Sequence, residues 1–144
     1  MLEIDSNLYG GQCPPYYIYA YYIHSLDRPM QKTPIPLYRQ GNTISPRMDN
    51  VRINKDVATF EESGVIWILA TLADTQSPGG ISTFSNIGRG NNWWKIEENI
   101  DIPPELKLIN DHDNHWLWQP GQIMTIDTYR DALKIVGAEF SKIN

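Results

Sequence analysis

At 144 residues, with a net charge of −5, the chain is sized for one domain with a real core and carries no surplus of positive charge. That balance argues against nucleic acid or an anionic membrane as the main partner. Its one cysteine, Cys13, excludes an internal disulfide, so the fold cannot depend on an oxidising compartment.

The first residues lack a basic region followed by an apolar run, so no ordinary secretory signal is expected. The longest apolar run is too short to span a bilayer, and no membrane insertion is expected. Such a chain acts in a cytoplasm, or reaches one through a machine that needs no cleaved signal.

Residues 1–15 are rich in turn formers and end in Cys13-Pro14-Pro15. Tyr16 to His24 is an aromatic, β-prone run and predicts a strand. Pro29, Pro34 and Pro36 make the next stretch an extended connector. Leu37-Tyr38-Arg39 reads as a short strand stopped by Gly41 and Asn42. Asp49 to Glu62 reads as helical, with Gly64 blocking a longer element. Val65 to Leu69 suits a buried strand or a helix, and its β-branching favours the strand. Pro78-Gly79-Gly80 predicts a turn and Ile81 to Ser85 a strand. Further strands are predicted at Trp93 to Ile96, Leu106 to Ile109, and His115 to Trp118 before the Pro120-Gly121 turn.

The last element is the most legible. Thr125 can cap a helix whose apolar positions Ile126, Tyr129, Leu133, Val136 and Phe140 recur every three to four residues. A mixed sheet with a few helices is an α+β fold.

Three separated clusters carry chemistry. Arginine, as in Leu37-Tyr38-Arg39, offers a planar fork of donors that fits phosphate oxygens. Gly79-Gly80-Ile81-Ser82-Thr83-Phe84 sets two hydroxyls beside glycines, which let backbone approach a ligand closely. Asp111-His112-Asp113-Asn114-His115-Trp116 adds imidazole and an aromatic ring. Together they supply groups for a phosphate, a ribose and a flat heterocycle, for which NAD is the natural candidate. Singly, each has a plainer reading: a surface arginine, a hairpin turn with a solvated β pair, and a loop. Asp and His are also common metal ligands. No second ligand cluster is close in sequence, however, and a loop rich in Asp and Asn is ordinarily a turn, so no metal is expected. Trp93-Trp94 implies one buried ring and one at the rim.

The order of these clusters resembles the ADP-ribosyltransferase-like toxins, in particular the small cytotoxic effectors exported by type VI secretion. The resemblance runs from about Pro36 to about Ile135. It is carried by Pro36-Leu37-Tyr38-Arg39, Ser45-Pro46-Arg47, Lys55-Asp56-Val57, Gly79 to Phe84, Asp101 to Lys107, His115-Trp116 with Pro120 and Met124, and Tyr129-Arg130-Asp131. Two departures stand out. Trp116 occupies a position where the family more often has tyrosine, and no glutamate follows it until Glu139.

The resemblance implies a mainly antiparallel, ADP-ribosyltransferase-like sheet over residues 36–144, with residues 1–35 as an extension packed on it. It implies NAD as substrate, for transfer of ADP-ribose to an acceptor or for plain hydrolysis. Arg39, Ser82 and His115 would be catalytic. Tyr38, Arg39, Gly80, Ser82, Thr83, Phe84 and Trp116 would hold the dinucleotide. A toxin of this kind acts in the cytoplasm of a target cell and needs a cognate immunity protein in its producer. Two other readings stay open: a relative that binds NAD without turnover, and a sugar- or protein-binding module using exposed tryptophans.

Overall fold

The computed structural model describes residues 31–69 and 79–144. Nine strands and one helix follow in chain order: β1 Leu37–Gln40, β2 Thr59–Glu62, β3 Val65–Ile68, β4 Ile81–Phe84, β5 Trp93–Ile96, β6 Leu106–His112, β7 His115–Pro120, β8 Met124–Thr125, α1 Ile126–Gly137 and β9 Ser141–Lys142. Six strands form one sheet in the order β6-β7-β4-β1-β5-β9, and three form a second, β2-β3-β8. Every pairing between these strands is antiparallel. The fold is α+β, as the sequence predicts. The predicted strand at Tyr16 to His24 lies outside the described residues.

Helix α1 begins where expected. The Thr125 hydroxyl accepts the Thr128 N–H at 3.2 Å, satisfying one of the free donors of the first turn, and Asp127 complements the positive end of the helix dipole. Ile126, Tyr129, Ala132, Leu133 and Val136 form its buried face. They pack against Leu37, Ile81, Ile96 and Trp118 in one core. At the centre of that core the Tyr129 hydroxyl donates to the Trp118 carbonyl at 2.5 Å. Burial pushes the Tyr129 phenol well above its ordinary range, so it stays a neutral donor.

The helix expected over Asp49 to Glu62 is absent. The stretch contains turns, an isolated bridge between Ile53 and Val57, and then β2. Local bonds outcompete helix here. The Asp56 carboxylate accepts the Arg52 N–H at 2.7 Å and its guanidinium at 2.9 Å, while Asn54 adopts a left-handed φ of 64°. Ser63 and Gly64 both take positive φ, the requirement of a tight two-residue hairpin, and so turn β2 back along β3. One helix, rather than a few, stands among the described residues. Val65–Ile68 is a strand, as β-branching favours.

Trp93 is buried, whereas Trp94 is partly buried with its indole N–H donating to the Asn42 carbonyl at 2.9 Å. Upstream of β1, Thr33 donates its N–H to Ile100 and its hydroxyl to Glu97, so the chain is already tied to the core there.

Gly80 precedes β4 at its closest approach to β7. A Cβ built on it would lie 2.4 Å from the Trp118 carbonyl oxygen and 2.8 Å from the carbonyl carbon. Both are backbone atoms in a paired strand and cannot turn aside. Gly80→Ala is therefore expected to destabilise the fold by roughly 1–3 kcal/mol, the usual cost of overpacking. Urea unfolding of parent and variant measures this, and equal midpoints would show that β4 and β7 separate more easily than their pairing implies.

Candidate functional site

Pairing registers lay a continuous row across five strands of the large sheet. His112 stands opposite His115, His115 opposite Phe84, Phe84 opposite Tyr38, and Tyr38 opposite Lys95. Directly opposed residues share a face, and residues two apart on a strand share one too, so Ser82 belongs to this face with Phe84. The neighbouring row, with Arg39 opposite Trp94 and Thr83 opposite Trp116, points to the other face, where α1 packs.

The residues singled out in the sequence thus divide. Tyr38, Ser82, Phe84 and His115 come together on the face away from α1. Arg39, Thr83 and Trp116 lie on the core side of the same strands. The Thr83 side chain is fully buried, accepting from the Trp118 indole at 3.0 Å and donating to the Trp116 carbonyl at 3.2 Å. Gly80 makes its close approach to β7, as described above.

Arg39 bridges the two faces through backbone. Its Nη1 donates to the Ser82 carbonyl at 2.7 Å, Nε to Pro46 at 2.9 Å and Nη2 to Arg47 at 3.0 Å. Three of its five donors therefore hold the 46–47 loop against β4. Burial lowers the Arg39 pKa, and nearby Asp56 pulls it back up. Arg47 itself has a φ of 56°, a left-handed conformation that Arg39 helps to hold through the Arg47 carbonyl.

On the open side, the His115 Nε2 lies 2.9 Å from the Ser82 hydroxyl, and its Nδ1 lies 2.6 Å from Asp111 Oδ1. Asp111 reaches this position because of a bulge. Strand pairing passes from Asn110 opposite Trp116 directly to His112 opposite His115, leaving Asp111 as the extra residue on β6. A bulge breaks strict alternation and re-aims a side chain, here turning a carboxylate toward the imidazole. The hairpin end is fixed by Asp113 at a φ of 43° and by the Asn110 amide, which donates to the Asp113 and His115 carbonyls.

The Asp111 side chain is only 4% exposed. Its burial alone would raise the carboxyl pKa. The His115 hydrogen bond and charge, joined by His112, outweigh burial and hold it below the ordinary carboxylate value. Because a carboxylate only accepts, Nδ1 of His115 carries a hydrogen. In the neutral ring Nε2 is then a free acceptor, and the Ser82 hydroxyl donates to it. A serine, a histidine and an aspartate so linked form a chain that can take a proton from a nucleophile onto the imidazole.

Phe84 lies beside this chain, its ring centroid 5.4 Å from that of His115. Sequence reasoning assigned Ser82 and His115 catalytic roles but placed Asp111 only within its cluster. The readable signal was an Asp four residues before a His across a two-residue turn, yet only the bulge makes that spacing productive.

No tryptophan offers an open platform. Trp67, Trp93 and Trp118 are buried, and Trp94 and Trp116 are partly buried against the core. The reading as a module that binds sugars through exposed tryptophans therefore loses its surface. Trp94, Trp116 and Trp118 pack with the core that holds α1, Trp67 packs with Ile123, and Trp93 is buried beside Phe84. Among the described residues no helix is long and apolar enough to cross a membrane.

No curated protein matches the chain. A family model described as Tse2 ADP-ribosyltransferase toxin matches residues 19–142, most of the sequence and every side chain of the site. The chain belongs to the Tse2 ADP-ribosyltransferase toxin family.

Proposed function

We propose that this protein uses NAD as substrate and stops the growth of cells it enters by moving ADP-ribose to an acceptor, or to water. The observation that carries this reading is the Ser82–His115–Asp111 chain, set beside Tyr38 and Phe84 on one sheet face of an ADP-ribosyltransferase toxin.

Breaking the bond between nicotinamide and ribose builds positive charge on the sugar, as glycoside cleavage does. The partly exposed rings of Tyr38 and Phe84 are suited to flank the flat nicotinamide. The Ser82 hydroxyl is suited to bond the ribose and orient it. As the Ser82 hydroxyl turns to the ribose it frees Nε2 of His115, which, held by Asp111, takes the proton of the attacking hydroxyl or water as the new bond forms. Arg39 keeps the 46–47 loop and β4 together, and a phosphate contact would draw on its two remaining N–H groups. In this reading Gly80, Thr83 and Trp116 support the strands that carry these groups.

Family membership supports the rest of this reading. A producer of such a toxin protects itself with a cognate immunity protein, most simply one that covers the site. Delivery by type VI secretion, without a cleaved signal, would carry the toxin from the producer's cytoplasm to that of the target.

The test is twofold. Purified protein is expected to release nicotinamide from NAD, and tightly controlled expression in a bacterial host is expected to arrest growth. Absence of both would sink the proposal. A second reading, NAD binding without turnover, is favoured by one observation: Glu139, the first glutamate after Trp116, is exposed beyond the end of α1, so no late glutamate reaches the site. Saturable NAD binding with no nicotinamide release would select it.

A further inference from the structure

The end of the β6–β7 hairpin collects more than the proton chain uses. Asp111, His112 and His115 each offer a ligand atom, and all three atoms lie within 4.8 Å of one another. Asp111 is the hub, with Oδ1 at 2.6 Å from His115 Nδ1 and Oδ2 at 3.2 Å from His112 Nδ1. The two imidazoles face each other with centroids 4.9 Å apart and planes inclined by 37°. The His112 side chain is 58% exposed, so one flank of the group is open to solvent.

We propose that this hairpin end is a binding site for a divalent transition cation, zinc being the best match, ligated by His112 Nδ1, His115 Nδ1 and Asp111. The sequence argued against a metal because no second ligand cluster was near. None is needed, since the bulge at Asp111 gathers three ligands from within five consecutive residues. Two imidazoles and one carboxylate suit zinc, cobalt or nickel rather than magnesium or calcium, which take oxygen ligands. Three protein ligands with an open fourth position is a familiar zinc arrangement. Ligand atoms about 2.0–2.1 Å from a tetrahedral zinc stand about 3.4 Å apart, so the 2.6 Å contact between His115 and Asp111 opens on binding while the 3.2 Å one nearly fits.

The position of Ser82 gives the site a consequence. A metal on Nδ1 of His115 replaces the hydrogen that Nδ1 now shares with Asp111. The neutral ring must then carry its hydrogen on Nε2, which donates to the Ser82 hydroxyl instead of accepting from it. Ser82 becomes the outer partner that fixes the metal-bound ring, and His115 can no longer take a proton. Metal occupancy and the base role of His115 exclude each other, so the cation would be an inhibitor. This regulatory consequence rests on the function proposed above, whereas the site itself does not.

The experiment is a titration of the full chain with Zn²⁺ by calorimetry and with Co²⁺ by visible absorption, for the parent, His112→Ala and His24→Ala. His24 is the chain's third histidine and serves as the control. One saturating equivalent is expected for the parent and for His24→Ala. His112→Ala is expected to bind at least about tenfold more weakly, since loss even of an outer-shell partner typically costs that much. Nitrogen-15 spectra of the zinc form are expected to show the His115 hydrogen on Nε2. Binding that is unsaturable, or equally tight in His112→Ala, or lost only in His24→Ala, would overturn the site. If nicotinamide is released, zinc is expected to inhibit the parent and not His112→Ala. A protein that binds zinc through His112 but never turns over NAD would leave the site standing and remove the proposed function alone.

Discussion

Replacing His115 with glutamine is expected to abolish growth arrest and to lower nicotinamide release by about 10²–10⁴-fold, the range for losing a positioned general base. Glutamine has a similar reach and can still bond Ser82 or Asp111, so the hairpin keeps its polar contacts. What it cannot do is hold a transferable proton. The fold should barely respond, because His115 is on the face away from α1 and stands outside the main core. A stability loss of about 1 kcal/mol is expected for the weakened contact with Asp111. Rate and unfolding midpoint, measured together, separate chemistry from folding. A variant that folds like the parent and keeps its rate to within about tenfold would show that His115 transfers no proton. Ser82→Ala should follow the same pattern with a smaller loss, since it removes an orienting hydroxyl rather than the base.

Arg39→Ala is expected to behave differently, destabilising the protein by about 2–4 kcal/mol whatever its effect on NAD. The guanidinium holds three carbonyls, those of Ser82, Pro46 and Arg47, at 2.7, 2.9 and 3.0 Å. A buried acceptor left without its donor costs about 1–3 kcal/mol, and more when the lost donor was charged. The Arg47 contact is exposed enough for water to replace it, which keeps the total below the sum of three. Total stability of an ordinary domain is about 5–15 kcal/mol, so this loss is large. Arg39→Lys should recover little, because an ammonium is a point donor and cannot span three carbonyls fixed by a planar fork. Denaturant unfolding of the three proteins checks the ranking, and an alanine variant as stable as the parent would refute the stapling role. The same argument makes loss of toxicity in Arg39→Ala ambiguous. A phosphate contact at Arg39 is better tested by NAD affinity in a variant shown to be folded.

Much of this protein was written locally. Leu37 to Arg39, Ile81 to Phe84, Trp93 to Ile96 and His115 to Trp118 are short β-branched or aromatic runs bounded by turn formers, and each is a strand. Thr125 and the apolar spacing after it specified α1, because a cap and a 3.6-residue period are properties of neighbouring residues. Family membership was legible for a related reason, since the ordered landmarks survive without any knowledge of packing. Asp49 to Glu62 failed because its residues have weak helical preference, while Arg52 bonds Asp56, and Asn54 bonds Val57 and Thr59 instead.

The site was legible as a set of residues and illegible as an arrangement. Which face a strand residue serves depends on its partner's register, and a shift of one position exchanges the two faces. Ser82 and Thr83 are adjacent in sequence, yet one meets His115 while the other is sealed behind Trp118. Arg39 has the chemistry of a phosphate ligand, and only the path of residues 46–47 makes it a staple. Asp111 was one acidic residue in a polar loop until a bulge turned it onto His115. Sequence alone determined most of the strands, the helix and the inventory of reactive groups, because those depend on near neighbours. Tertiary structure decided which groups meet, because strands brought together from 43 and 33 positions apart put Arg39 and His115 against Ser82.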